Sequence, residues 1–183
     1  MDRTEAYALL TEYTTNPALI KHALAVEAAM RAYARKFGEN EDEWGVIGLL
    51  HDFDYDKYPT AEEHPYKGAE ILRSKGVDEA WIKTIMSHAD YTGVPRESRR
   101  DKTLFAVDEL CGFLTAVALV RPDKKISSVE VRSVKKKMKQ KAFAAQVSRD
   151  DITTGAADLG VDLDEHIAFV IEAMSGVAGE LGL

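Results

Sequence analysis

Residues 48–59 read GLLHDFDYDKYP, an apolar run that delivers His51 and Asp52 side by side, with Asp54 and Asp56 following. Ionised carboxylates are rarely buried unless a partner charge or a metal compensates them. Other residues repeat the pattern on apolar helical faces. His22 lies three residues after Leu19 and four before Val26, which places it on an inward stripe. His88 follows Ile85 by three, and Asp108 is flanked at helical spacing by Leu104, Phe105 and Cys111. A carboxylate centred on an apolar face raises its pKa or finds a cation, which arginine, lysine or a metal can supply. Imidazole and carboxylate together suit zinc, manganese, iron, cobalt or nickel better than calcium, which prefers oxygen alone.

The elements that position these residues read as helix after helix. A short helix is expected over 3–13. Asn16 and Pro17 then open a helix that runs to Phe37 and stops at Gly38. Asn40 and Glu43 form a capping-box pattern for the next helix, which ends at or just beyond His51-Asp52. Thr60 with Glu63 resembles a further cap before a helix over 65–75, and Asp78 begins one that reaches His88. The polar segment DYTGVPRESRRD, 90–101, reads as a loop before a long apolar helix over 102–120. Three more helices are expected near 128–146, 149–158 and 164–179. The fold class is all-α in one domain over 1–183, with no internal repeat or low-complexity linker.

Composition narrows the function classes. The chain has 183 residues, 45% hydrophobic and 30% charged, as expected of a globular domain with a real core. No run approaches the roughly 20 apolar residues of a membrane span. The start MDRTEAYALL lacks the pattern of a signal peptide, and the single Cys111 cannot form an internal disulfide. A reduced, cytoplasmic protein is the simplest expectation. The net charge of -7 argues against broad nucleic-acid binding, which needs a basic footprint. The run KKKMKQK, 135–141, is the one local basic stretch, and it reads as the solvated side of an amphipathic helix, with a phosphate-recognising cationic pocket as the alternative.

The order His22, His51-Asp52, Asp108 on separate helices resembles the HD superfamily of metal-dependent phosphohydrolases. EEHPYKGAEIL resembles the HP-x-x-G segment of its binuclear members, and IMSHADYTGVP resembles their following histidine, which adds His64 and His88. The resemblance covers about 17–120. It implies a helical HD-domain bundle with a C-terminal helical extension over about 121–183. It also implies two divalent ions: His22, His51, Asp52 and Asp108 would hold one, and His64 and His88 would complete the second, with Asp52 bridging. The implied activity is hydrolysis of a phosphomonoester or phosphodiester, nucleotide-like in kind, by metal-activated water. Some HD-fold proteins similar at these positions instead hold di-iron and activate dioxygen, and a metal-stabilised binding module is the non-catalytic reading.

Two departures shape the expectation. Tyr55 stands where nucleoside monophosphatases of the family often carry glutamate, so Asp54 or Asp56 would have to serve as acid or base. His88 is single and is followed by Gly93-Val94-Pro95, which disfavours cyclic-dinucleotide cleavage. Asp52 and Lys57 are the expected catalytic groups, Lys57 as a phosphate ligand; Asp54, Asp56 and Lys57 read equally well as a solvated loop. Arg96, Arg99 and Arg100 are candidates to receive an anionic substrate or to keep a loop soluble, and Asp90 to orient His88 or cap its loop. His166 reads as an ordinary helix residue. Apolar stripes on the C-terminal helices suit a homodimer interface and a core equally.

Overall fold

The computed structural model describes residues 1–183. It contains ten α-helices and no strand: α1 (Arg3–Tyr13), α2 (Pro17–Phe37), α3 (Glu41–Leu50), α4 (Tyr66–Ser74), α5 (Glu79–Ser87), α6 (Arg99–Leu119), α7 (Val131–Met138), α8 (Arg149–Leu159), α9 (Leu163–Ser175) and α10 (Ala178–Leu181). Single 3-10 turns occupy Asp90–Thr92 and Ile126–Ser128. No helix is long and apolar enough to cross a membrane.

The helix starts follow from local chemistry. Asn16 accepts from the Ala18 N–H ahead of Pro17, and Gly38 ends α2 in the left-handed region at φ 71°. Asn40 accepts from the Asp42 and Glu43 N–H groups. The reciprocal half of that expected capping box is absent, because the Glu43 carboxylate turns to Arg100. A capping box does form at Ser98 and Asp101, which starts α6 three residues earlier than the apolar pattern suggests. Thr60 and Glu63 cap a turn instead of α4, which begins after Pro65 without a side-chain cap.

The expected helix over 128–146 is cut short at Met138. Lys135 and Lys139, and Lys137 and Lys141, repel at i,i+4 spacing, so the run supports little helix beyond its first turns. Ala144 takes a positive φ of 42°, and the Arg149 guanidinium gathers the carbonyls of Phe143, Ala144 and Val147. The chain is thereby folded back before α8. The expected helix over 164–179 likewise ends at Ser175, and α10 is a separate turn.

Long helices α2 and α6 cross in the centre, α3 lies along α2, and α5 and α8 flank α6. One apolar core draws side chains from Ala6 in α1 to Leu181 in α10. Close approach rests on glycines. A Cβ at Gly48 would meet Met30 Cγ at 2.9 Å, and one at Gly155 would meet the Ala106 Cα at 2.7 Å. Backbone cannot yield as a side chain can, so Gly155→Ala is expected to destabilise the protein by about 1–3 kcal/mol. Gly112→Ala meets open space inside α6 and should add roughly 0.5–1 kcal/mol. Thermal melts of both variants check this, and equal shifts of one sign would contradict the packing.

Candidate metal centre

The core helices deliver six side chains to one place. His22 comes from the second turn of α2 and Asp108 from the middle of α6. His51 and Asp52 leave the end of α3, His88 caps α5, and His64 precedes α4. His22 Nε2 lies 2.9 Å from Asp108 Oδ1, and His51 Nε2 lies 3.3 Å from the same oxygen. Asp52 Oδ1 is 3.2 Å from Nε2 of both His64 and His88, whose own Nε2 atoms are 3.4 Å apart. Asp52 Oδ2 faces the other way, 3.5 Å from His51 Nε2. Two groups of ligating atoms result, His22/His51/Asp108 and Asp52/His64/His88, each compact enough to hold an ion.

The donor set fits a metal because the opposite ring nitrogens are spoken for. His51 Nδ1 is 2.8 Å from the Gly48 carbonyl and His88 Nδ1 is 2.5 Å from the Ile85 carbonyl. His64 Nδ1 is 2.8 Å from the Asp54 carboxylate. A carbonyl or carboxylate only accepts, so each Nδ1 carries the hydrogen and each neutral ring presents its Nε2 lone pair inward. His51 Nε2 and Asp52 Oδ1 are buried without a well-directed hydrogen bond despite their close neighbours. Buried polar atoms left this way are the ones an ion seated between them would satisfy.

Asp54 was expected either as acid or base or as part of a solvated loop, and the structure corrects both readings. Its side chain is 1% exposed, and its second oxygen accepts from the Gly68 N–H at 2.8 Å. A Cβ at Gly68 would stand 2.8 Å from the Asp54 carboxyl carbon. The glycine of the HP-x-x-G pattern is thus the space in which the carboxylate sits. Asp56 is also engaged: it accepts from the Thr15 and Asn16 N–H groups and anchors the start of α2.

Without ions the cluster holds protons. Burial by itself lowers the His64 pKa, but bonding to Asp52 and Asp54 outweighs it and raises the value to about 9. His51 and His88 are raised in the same way, burial opposing and the aspartates prevailing. For Asp52 and Asp108 burial pushes upward, yet the surrounding histidines hold both below the usual carboxylate range. Glu109, the neighbour of Asp108, is pushed up to about 7 by burial, with Asp108 and Asp151 adding to it.

Above the clusters lies a cavity of about 500 Å³, bordered by Tyr55, Tyr91, Phe105, Glu109, Gln146 and Asp151 among others. Sequence reasoning missed Glu109, Gln146 and Asp151. The only signal for Glu109 was its place beside Asp108, and residues 146–151 reach the cavity through tertiary packing alone. Tyr91 donates to the His64 carbonyl at 2.9 Å and so braces the turn.

Other expected residues lie elsewhere. Lys57 places its ammonium 4.8 Å above the Tyr13 ring and does not border the cavity. Arg96 pairs with Asp90 and covers the Phe105 ring, Arg99 lies over Phe37, and Arg100 bonds Glu43, Thr84 and the Ala80 carbonyl. These arginines are structural ties. Asp90 therefore serves Arg96, and the Ile85 carbonyl orients His88 in its place. His166 is a satisfied core histidine between the Tyr33 hydroxyl and the Ala106 carbonyl. In the lysine run, Lys135 pairs with Asp164 and Lys137 lies over Phe143.

A family model described as HD domain matches residues 19–112, more than half of the 183-residue chain and all six clustered positions. No solved structure matches the chain.

Two outcomes are expected of the cluster. Asp54→Ala frees the His64 tautomer and should weaken divalent-ion uptake at the Asp52/His64/His88 group about 10–100-fold, measured by titration of metal-free protein; unchanged uptake would contradict the positioning role. The His64 pKa lies above its unfolded value of about 6.5. Its ion pairs therefore stabilise metal-free protein fully below about pH 6.5, and that stability is lost as pH rises through about 9. Denaturant midpoints from pH 6 to 10 should fall across this window in metal-free protein.

Proposed function

We propose that this chain, which belongs to the HD domain family, is a metal-dependent phosphohydrolase acting on a phosphomonoester or phosphodiester. The family consists mostly of such enzymes. The observation that carries the reading is Asp52, which turns Oδ1 toward His64 and His88 and Oδ2 toward His51. One carboxylate facing two ligand groups is the arrangement a paired-ion site needs.

In this reading His22, His51 and Asp108 would hold one ion, His64 and His88 would hold the other, and Asp52 would serve both. The soft-to-borderline imidazole share of the donor set suits iron, manganese, zinc, cobalt or nickel. Divalent ions at such a site supply Lewis acidity, which acidifies water near neutral pH and offsets phosphoryl charge. The chain does the positioning. The Gly48 and Ile85 carbonyls and Asp54 fix three imidazoles. Glu109, a carboxyl group at the cavity edge whose pKa burial raises, is placed to exchange a proton with a leaving group. Of the two groups expected to be catalytic, Asp52 reaches the cavity and Lys57 does not. The substrate is a small-molecule phosphate ester, and residence in the cytoplasm accords with the reading.

Asp52→Ala and Asp108→Ala should each lower metal content and reduce phosphoester hydrolysis by about 100-fold or more. Full content and turnover in either variant would overturn the proposal. So would iron-dependent oxygen consumption without phosphate release, which points to the oxygenase chemistry available to the same ligands.

A further inference from the structure

The cavity contains no lysine or arginine. Histidines and tyrosines aside, every ionisable side chain that borders it is a carboxyl group: Asp52, Asp90, Asp108, Glu109 and Asp151. Of the basic residues nearby in sequence, Lys57 lies over Tyr13 and Arg149 serves the carbonyls of its own loop, while Arg96 does not itself border the cavity and is paired with Asp90, which does. On the floor, His51 Nε2 is fully buried and lacks a hydrogen bond, aimed at Asp52 and Asp108. An anion brought by a ligand can therefore be offset only at the floor. The wall is different. Glu109 accepts from the Ser148 N–H at 3.0 Å, which ties α6 to the segment that carries Gln146 and Asp151. Its other oxygen, and the Asp151 carboxylate, remain acceptors that border the cavity.

We infer that the cavity selects a small phosphomonoester whose organic part donates hydrogen bonds through hydroxyl or ammonium groups and carries no second anion, with Glu109, Gln146 and Asp151 as the selecting wall. The inference rests on the phosphohydrolase reading and specifies its substrate class. The phosphoryl group seats on the floor, where bound ions would balance it. A second phosphate or a carboxylate on the same substrate would then face Asp151 and Glu109 with no cation to meet it. Hydroxyl and ammonium groups donate to those oxygens instead. Gln146 and Asp151 lie beyond residue 112, where the family match ends, so the selecting wall joins Glu109 of the matched part to the C-terminal segment, while all six ion-holding groups lie in the matched part.

The test is calorimetric binding of two probes to the metal-loaded full chain at pH 8. Glycerol 3-phosphate and 3-phosphoglycerate share a skeleton and differ in a hydroxymethyl group against a carboxylate. The wild type should bind glycerol 3-phosphate about tenfold more tightly or better. Glu109→Gln and Asp151→Asn should each shrink that ratio toward one. Equal binding, a preference for 3-phosphoglycerate, a ratio that neither variant moves, or no binding of either probe would overturn the inference. Failure of the phosphohydrolase reading shows separately, as the expected ratio without release of inorganic phosphate from any ester.

Discussion

The structure depends on a constraint carried by three hydrogen bonds. His51, His64 and His88 each meet an obligatory acceptor at Nδ1, so each Nε2 is left to face the others. Two of those acceptors are carbonyls three residues earlier in the same chain, available only because α3 and α5 end where they do. A helix end leaves its last carbonyls without their usual partners four residues on, and here the histidine rings bond to them. Helix length and ring orientation are therefore one property.

The third acceptor, Asp54, needs its own support. The turn after α3 sends Phe53 into the core and returns Asp54 beneath His64, where Gly68 leaves the space that a side chain would fill. The same turn places Asp56 against the first N–H groups before α2, the helix that carries His22. The two ligand groups are thus coupled through a few residues of chain. Helices α2 and α6 pack directly on each other and hold His22 against Asp108, while α3 and α8 approach them closely through Gly48 and Gly155.

What the sequence revealed and what it hid divide along the same line. Asn16-Pro17 and Gly38 bound α2 correctly because caps are local, and the inward spacing of His22 and Asp108 was visible because helix periodicity is local too. The fold-back between α7 and α8 was not visible, since it depends on Arg149 reaching back to the carbonyls of Phe143, Ala144 and Val147. Lys57 looked close to the doublet in sequence, but the turn rotates it onto Tyr13. Asp54 looked solvated for the converse reason: its partner His64 is ten residues on, at a distance no periodicity encodes. The acidic wall from Glu109 to Asp151 exists only once α8 packs on α6.

The central claim is that these side chains form a paired-ion site. The most direct measurement is elemental analysis of protein purified anaerobically without a histidine tag, expressed per polypeptide. The account predicts two divalent transition-metal ions for each chain. A protein that arrives without metal and takes none up on addition would contradict it.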